Sequence, residues 1–156
     1  MMHRILFVCL GNICRSPAAE VVFRSMAQAA GLPVRVDSAG TGAWHVGEPP
    51  HPPMIAAAAR RGHDLRPLRA RQLVAADFTL FDQVLVMDRS NLRDALALHR
   101  RAGGQGALPR LFLDHAPQTG LQDMPDPWYS GDFDQTLDLV EVAGAGLLAA
   151  LRQPPQ

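Results

Sequence analysis

The feature that most constrains the fold is a short apolar run that leads through a glycine-containing loop into a helix start. Residues 4–8 are mostly branched and aromatic, a pattern typical of a strand that is buried on both faces of a parallel sheet. Ser16 and Pro17 then indicate a helix N-terminus, because serine is a preferred N-cap and proline suits the first helical position. This order of strand, loop and helix predicts the first unit of an α/β fold.

The rest of the chain repeats the alternation of strands and helices. We predict further strands at residues 34–37, 83–87 and 108–113, and helices at 16–30, 54–61, 90–101 and 132–151. The glycine- and proline-rich segments 38–53 and 114–131 are expected to be loops. We therefore expect one domain over residues 1–152: a flavodoxin-like, four-stranded parallel sheet with helices on both faces, followed by a frayed tail at 153–156.

Charge and composition exclude several classes of function. Fifteen basic and 15 acidic residues give a formal charge of zero, which favours neither a nucleic acid nor a membrane as partner. No apolar run approaches the roughly 20 residues of a membrane span, and residues 1–8 lack the core of a signal peptide. We therefore expect a cytoplasmic protein. Its two cysteines have no matching histidine pair, so they do not predict a zinc site.

The loop after the first strand is typical of a phosphate site. In doubly wound sheets, ligands bind at the carboxyl ends of strands, where a loop turns into a helix. Successive backbone N–H groups and the helix N-terminus there suit a dianionic phosphate. Gly11 permits close backbone approach, and Asn12 tolerates a left-handed conformation. The pattern predicts an anion site with Cys9 at its base.

The same loop contains the residues for nucleophilic chemistry. Nearby cations and a helix N-terminus favour the thiolate form of Cys9. The planar guanidinium of Arg15 can bind two phosphate oxygens and stabilise the charge of the transition state. Ser16 can donate its hydroxyl to the sulfur, which makes the sulfur a better leaving group. A lone cysteine is more often structural, but a cysteine and an arginine separated by five residues are far more specific. Because these groups supply the positive charge, we expect no metal and no organic cofactor.

Hydrolysis of a phosphate ester also needs a proton donor for the leaving oxygen. Asp126 is the best candidate, because prolines flank it and two aromatic residues follow in the same loop. An ordinary Asp-Pro turn is the alternative. Asp114 and Asp123 lack this context, so we expect both to be solvated loop charges.

The sequence VCLGNICRSP at residues 8–17 closely resembles the signature of the low-molecular-weight protein tyrosine phosphatases. The resemblance continues through residues 36–41, 70–72, 86–88 and 126–128, and covers nearly the whole chain in the expected order. It implies a four-stranded parallel sheet and hydrolysis of phosphotyrosine or aryl phosphates through a cysteinyl-phosphate intermediate. It also implies that Asp126 acts first as general acid and then as base, with inorganic phosphate as the product. The partner would be a phosphotyrosine-containing protein or a small aryl phosphate.

The resemblance also implies supporting roles. Cys14 would form a reversible disulfide with Cys9 under peroxide. The alternative is that Cys14 only fills space as a small apolar side chain. Asn12 and Ser38 would brace the loop, unless they are ordinary turn residues, and Asp88 and Asn91 would support the same network. Five residues are expected to form apolar walls around an aromatic ring: Leu10, Ile13, Trp44, Trp128 and Tyr129. Core packing or incidental exposure is the alternative for each of them.

One position departs from the family pattern. Leu68 stands where relatives usually have a histidine that helps to hold the loop asparagine. We therefore expect Asn12 to have fewer partners, with His63 or water as a substitute. Glu20, without its usual partner, is expected to face solvent.

Three alternative functions remain open. A phosphoarginine phosphatase of the same family would usually have a small polar residue in place of Ile13. An arsenate reductase needs further cysteines after the first attack, and none follows Cys14. A non-catalytic phosphate-binding module would not need Cys9, Arg15 and Asp126 together.

Overall fold

The structure is a computed structural model that describes residues 1–153. Four strands in this range form one sheet. All its strands are parallel, in the order β2-β1-β3-β4. The strands are β1 (His3–Cys9), β2 (Val34–Gly40), β3 (Gln83–Val86) and β4 (Arg110–Leu111). This topology confirms the predicted fold class. It places β1 at the centre of the sheet, so that Cys9 lies at the carboxyl end of an interior strand.

Six α-helices follow the strands in the described residues. They are α1 (Arg15–Ala29), α2 (Pro52–Arg60), α3 (Asp77–Leu80), α4 (Arg89–Arg101), α5 (Pro127–Ser130) and α6 (Phe133–Arg152). Short 3₁₀ turns occur at Phe112–His115 and Pro117–Thr119. Within residues 1–153, no helix combines the length and the apolar character that a membrane crossing requires.

The side chains of β1 alternate between two cores, one on each face of the sheet. Phe7 lies in the core that contains α1 and α6, where its ring is 5.9 Å from that of Phe23 and 4.9 Å from that of Phe112. Leu6 and Val8 lie in the other core, with Ala95 of α4. Each large apolar side chain buried in this way contributes roughly 1.5–3 kcal/mol. Because both faces are covered, β1 is a rigid support for the loop that follows it.

Several predicted boundaries were wrong. Helix α1 begins at Arg15, with Cys14 and not Ser16 at its N-cap. The Ser16 hydroxyl instead contacts the sulfur of Cys9. Strand β4 has two residues instead of the predicted six, because the chain enters a 3₁₀ turn at Phe112 and Pro109 lacks an N–H for pairing.

Other differences concern loops and the C-terminus. Strand β2 continues to Gly40, three residues beyond its predicted end. Helix α3 was not predicted, and α5 lies inside a segment that we expected to be loop. Of the predicted frayed tail, only Gln153 belongs to the described residues, and 154–156 lie outside them.

Candidate active site

The loop between β1 and α1 wraps around the sulfur of Cys9, which is buried. The Asn12 backbone N–H donates to Cys9 Sγ at 3.3 Å, and Ser16 Oγ lies 3.0 Å from the same sulfur. Asn12 has a φ of 57°, and no other non-glycine residue among the described ones has a positive φ. This left-handed residue turns its own N–H towards the sulfur, so the loop depends on a conformation that costs most residues energy.

The side chain of Asn12 holds the loop in that conformation. Its Nδ2 donates to Ser16 Oγ at 2.8 Å and to Ser38 Oγ at 3.0 Å. Its Oδ1 accepts from the backbone N–H of Arg71 at 3.0 Å. The polar atoms of the Asn12 side chain therefore have three partners. The partner from the segment after α2 is the backbone of Arg71 and not the side chain of His63.

Glu20 belongs to this network, and the expectation that it faces solvent was wrong. Only 4% of Glu20 is exposed, and its Oε1 accepts from Ser38 Oγ at 2.7 Å. Its other carboxylate oxygen pairs with Arg24, which also donates to the Val36 carbonyl at 2.9 Å. Glu20 lies one helical turn after Ser16, so both side chains are on the same face of α1 as the loop. Arg24 compensates the buried carboxylate.

Gly40, at the end of β2, allows the loop to lie close to the sheet. A Cβ atom at this position would be 2.7 Å from the Leu10 carbonyl oxygen and 3.2 Å from the Asn12 nitrogen. The backbone beyond it binds the loop as well, since Thr41 N donates to the Cys9 carbonyl at 2.9 Å. A side chain at residue 40 would therefore push the loop away from the strand.

Arg15 is buried beside Cys9 and fixed by two other segments. One guanidinium nitrogen donates to Asp88 Oδ2 at 2.7 Å and to the Met124 carbonyl at 2.9 Å. The other lies 3.4 Å from Asp126 Oδ2. Burial alone would lower the pKa of Arg15, but the charge of Cys9, the hydrogen bond that Arg15 donates to Asp88 and the charge of Asp126 together raise it. Arg15 is thus a permanent cation in the site.

Asp88 has a different role from the predicted one. It caps α4 by accepting from the Asn91 backbone N–H at 2.7 Å, and it binds Arg15 with its other oxygen. It thus orients the loop arginine and makes no hydrogen bond to Asn12 or Ser38. Asn91 is buried, and its side-chain Oδ1 has no partner among the described residues.

Of the three carboxylates considered, only Asp126 reaches the site. It precedes α5 and accepts from the Trp128 backbone N–H at 3.0 Å, which orients its carboxylate towards Arg15. Asp123 forms an ion pair with Arg89 at 2.9 Å, so it is not simply a solvated charge. Asp114 is exposed.

These residues surround a cavity of about 270 Å³ at the carboxyl edge of the sheet. Trp44, Trp128 and Tyr129 are 73%, 51% and 82% exposed, so their rings form the mouth. The predicted residues that line the cavity are Cys9, Leu10, Gly11, Ile13, Cys14, Arg15, Trp44, Asp126, Trp128 and Tyr129. Asn12, Ser16 and Ser38 do not line the cavity, and the hydrogen bonds between their side chains hold the loop in place.

Sequence reasoning missed one residue of this cavity, His45. Its Nδ1 pairs with Glu48 Oε2 at 2.5 Å, and its ring lies 6.0 Å from that of Trp128. The only signal for it was its position next to Trp44 in the same glycine-rich loop.

Cys14 lines the cavity but differs chemically from Cys9. Burial, followed by the charges of Cys9 and Asp126, raises the pKa of its thiol to about 12. Cys14 is therefore protonated at neutral pH. Neither cysteine is in a disulfide.

A cysteine, an arginine and an aspartate in one cavity at the carboxyl edge of a parallel sheet are the groups expected in a phosphoric monoester hydrolase. The chain belongs to the low molecular weight phosphotyrosine protein phosphatase family, which it matches over residues 4–156.

The individual proteins to which the chain is similar agree with this assignment. A low molecular weight protein-tyrosine-phosphatase of Streptomyces coelicolor is 44% identical over 98% of this chain and 96% of its own length. The Bacillus subtilis enzyme YfkJ is 39% identical over 99% of both chains. The crystal structure of YfkJ has a TM-score of 0.92 and covers 100% of this chain and 98% of its own. The arginine phosphatase of Drosophila has a TM-score of 0.91 at 25% identity, over 97% of this chain and 99% of its own.

Proposed function

We propose that this enzyme hydrolyses phosphotyrosine and aryl phosphates through a phosphorylated cysteine, with Cys9 as nucleophile, Arg15 as phosphate ligand and Asp126 as general acid and base. The observation that carries the proposal is the convergence of these three side chains on one cavity. They come from the end of β1, the start of α1 and the loop before α5. Only the fold brings Asp126 to the other two.

In the first step, the thiolate of Cys9 attacks phosphorus and the bond from phosphorus to the phenol oxygen breaks. Asp126, in its protonated form, donates its proton to that oxygen, so a neutral phenol leaves. Arg15 binds two equatorial oxygens of the phosphoryl group during the transfer. Asp88 and the Met124 carbonyl hold the guanidinium in place for this contact.

In the second step, water attacks phosphorus and the bond from phosphorus to sulfur breaks. Asp126, now a carboxylate, accepts the proton of that water, and inorganic phosphate leaves. The Ser16 hydroxyl, 3.0 Å from Cys9 Sγ, stabilises the thiolate as it departs. The Asn12 N–H, 3.3 Å from the same sulfur, also stabilises the thiolate.

The cavity walls favour a phenyl ring over a guanidinium. Ile13 contributes an apolar side chain to the wall, and three aromatic rings surround the mouth. A phosphoarginine phosphatase is the second candidate, supported by the structural similarity to the Drosophila arginine phosphatase. Turnover of phosphotyrosine and phosphoarginine by the same preparation decides between them, and faster turnover of phosphoarginine would reverse the assignment.

Arsenate reduction has less support, because no cysteine follows Cys14 to carry the oxidation further. A nucleophile that acts as a free thiolate suits a reducing compartment, and we propose the cytoplasm on this ground. A reversible disulfide between Cys9 and Cys14 stays a proposal as well.

Turnover of p-nitrophenyl phosphate by four proteins tests the mechanism: the wild type and the variants Cys9→Ser, Asp126→Ala and Asp114→Ala. Cys9→Ser should abolish turnover. Asp126→Ala should lower kcat by roughly 10²–10⁴-fold, the usual effect of losing a general acid. Asp114→Ala is the matched control, because Asp114 is an exposed carboxylate outside the cavity. Wild-type activity in Cys9→Ser would show that the mechanism is wrong.

A further inference from the structure

A second groove, of about 530 Å³, lies beside the catalytic cavity on the other side of Trp44. Leu10 and Trp44 line both spaces, so the groove continues from the mouth of the cavity. Its walls are the loop 41–44, the segment 72–75 and one face of α4. Nothing in the proposed chemistry uses this groove.

The α4 wall gives the groove its length and direction. Asp94, Leu98 and Arg101 all line it, because residues four and seven positions apart share a face of a helix. At 1.5 Å per residue, the helix rises about 10 Å from Asp94 to Arg101. An extended peptide covers that distance with about three residues. Since α4 begins directly after Asp88, which binds Arg15, the Arg101 end is the one farther from the catalytic cavity.

The chemistry of the groove changes along its length. Its middle is apolar, with Leu73, Val74 and Leu98 in the walls, and half of Val74 is exposed. Within residues 1–153, Arg101 forms no ion pair and Asp94 forms none either. The groove leaves the catalytic cavity past Asp94, has an apolar middle and ends at an unpaired arginine, so it is complementary to a segment that is apolar in its middle and acidic at its far end.

We propose that this groove binds the residues of a peptide substrate on one side of its phosphotyrosine, with a carboxylate about three residues away paired to Arg101. The inference rests on the proposed phosphotyrosine phosphatase function. When a phosphorylated side chain fills the catalytic cavity, its Cα lies at the mouth and the peptide must leave across the surface. The path around Trp44 leads directly into the groove. The groove therefore makes the enzyme selective among phosphopeptides, a selectivity that a small aryl phosphate cannot report.

Charge reversal at Arg101 tests the proposal. The substrates are p-nitrophenyl phosphate and four phosphotyrosine peptides, with Glu or Arg placed three residues before or three residues after the phosphotyrosine. On one of the two sides, we expect the wild type to prefer Glu over Arg by about two- to fivefold in kcat/KM, the range of a solvent-exposed ion pair. Arg101→Glu should reverse that preference and leave p-nitrophenyl phosphate turnover unchanged.

The matched control is Arg100→Glu, because Arg100 is an exposed neighbour of the same charge that does not line the groove. It should keep the wild-type preference. Equal effects of the two variants, or no preference on either side, would overturn the proposal. These outcomes are distinct from failure of the catalytic mechanism, which would appear as turnover of p-nitrophenyl phosphate that survives in Cys9→Ser.

Discussion

Replacement of Asn12 by alanine or by glycine separates the two contributions of this residue to the phosphate loop. Its side chain makes three hydrogen bonds: two buried ones to Ser16 and Ser38, and a partly buried one from the backbone of Arg71. Its backbone is left-handed, with φ of 57°. Alanine loses the hydrogen bonds and is strained in this conformation, whereas glycine loses the hydrogen bonds alone.

The expected magnitudes follow from these contacts. Three hydrogen bonds at about 0.5–1.5 kcal/mol each amount to roughly 1.5–4.5 kcal/mol. A left-handed alanine costs about 1–2 kcal/mol more. Asn12→Ala should therefore lower the free energy of unfolding by about 2.5–6.5 kcal/mol. Glycine avoids the strain of about 1–2 kcal/mol but loses about 0.5–1 kcal/mol in chain entropy, so Asn12→Gly should be more stable than Asn12→Ala by up to about 1.5 kcal/mol.

Urea unfolding with a constant m-value measures both differences, and p-nitrophenyl phosphate turnover in the absence of urea reports the geometry of the loop. Both variants should have lower kcat, because the Asn12 N–H would no longer be held towards Cys9. The reasoning is refuted if Asn12→Ala loses less than about 1 kcal/mol, which is below the range for three hydrogen bonds. It is also refuted if alanine is the more stable variant.

Three further predictions concern groups around the loop. The raised pKa of Cys14, about 12 against 9.0 for a free thiol, means that the unfolded chain loses this proton first. The free energy of unfolding should therefore be independent of Cys14 titration below about pH 9, and it should fall as the pH rises from there towards about 12. The chain has no lysine, so Cys14→Ala should flatten this part of a urea-midpoint profile, and an unchanged slope would contradict the assignment. Gly40→Ala should lower kcat and cost about 1–3 kcal/mol, measured by the same unfolding assay, because its Cβ would overlap Leu10. Glu20→Gln should cost about 1.5–3 kcal/mol through its charged hydrogen bonds, and a loss no larger than that of an exposed Asp114→Asn control would count against the network.

The parts of the site that could be predicted are those encoded within a few neighbouring residues. The loop from Cys9 to Ser16 was predictable from the spacing of its cysteine and arginine and from the Ser-Pro pair at the helix start. Asp126 was predictable because prolines flank it and aromatic residues follow it. The sheet was predictable because buried parallel strands are short apolar runs between helices. Strand β4 was overestimated because an edge strand of two residues has little pattern of its own.

The contacts that sequence reasoning missed join distant segments. The N–H of Arg71 binds Asn12 across 59 positions, and a backbone donor has no residue-specific signal. Glu20 was misplaced because the hydrogen bond that its carboxylate accepts from Ser38 forms only when α1 packs against β2, whereas its pair with Arg24 lies within α1. His45 enters the cavity because its loop folds back over Gly11, where its ring would be 3.0 Å from a Cβ.

The most direct test of the central claim is to trap the phosphorylated enzyme. Asp126→Ala is the protein to use, because the loss of the general base slows hydrolysis of the intermediate. After mixing with an activated aryl phosphate, whose phenol leaves without protonation, and a rapid acid quench, peptide mass spectrometry should find one phosphoryl group on Cys9. Cys9→Ser treated in the same way should carry none. A phosphoryl group on any other residue, or turnover that proceeds with no phosphoenzyme in a quench faster than one catalytic cycle, would contradict the account.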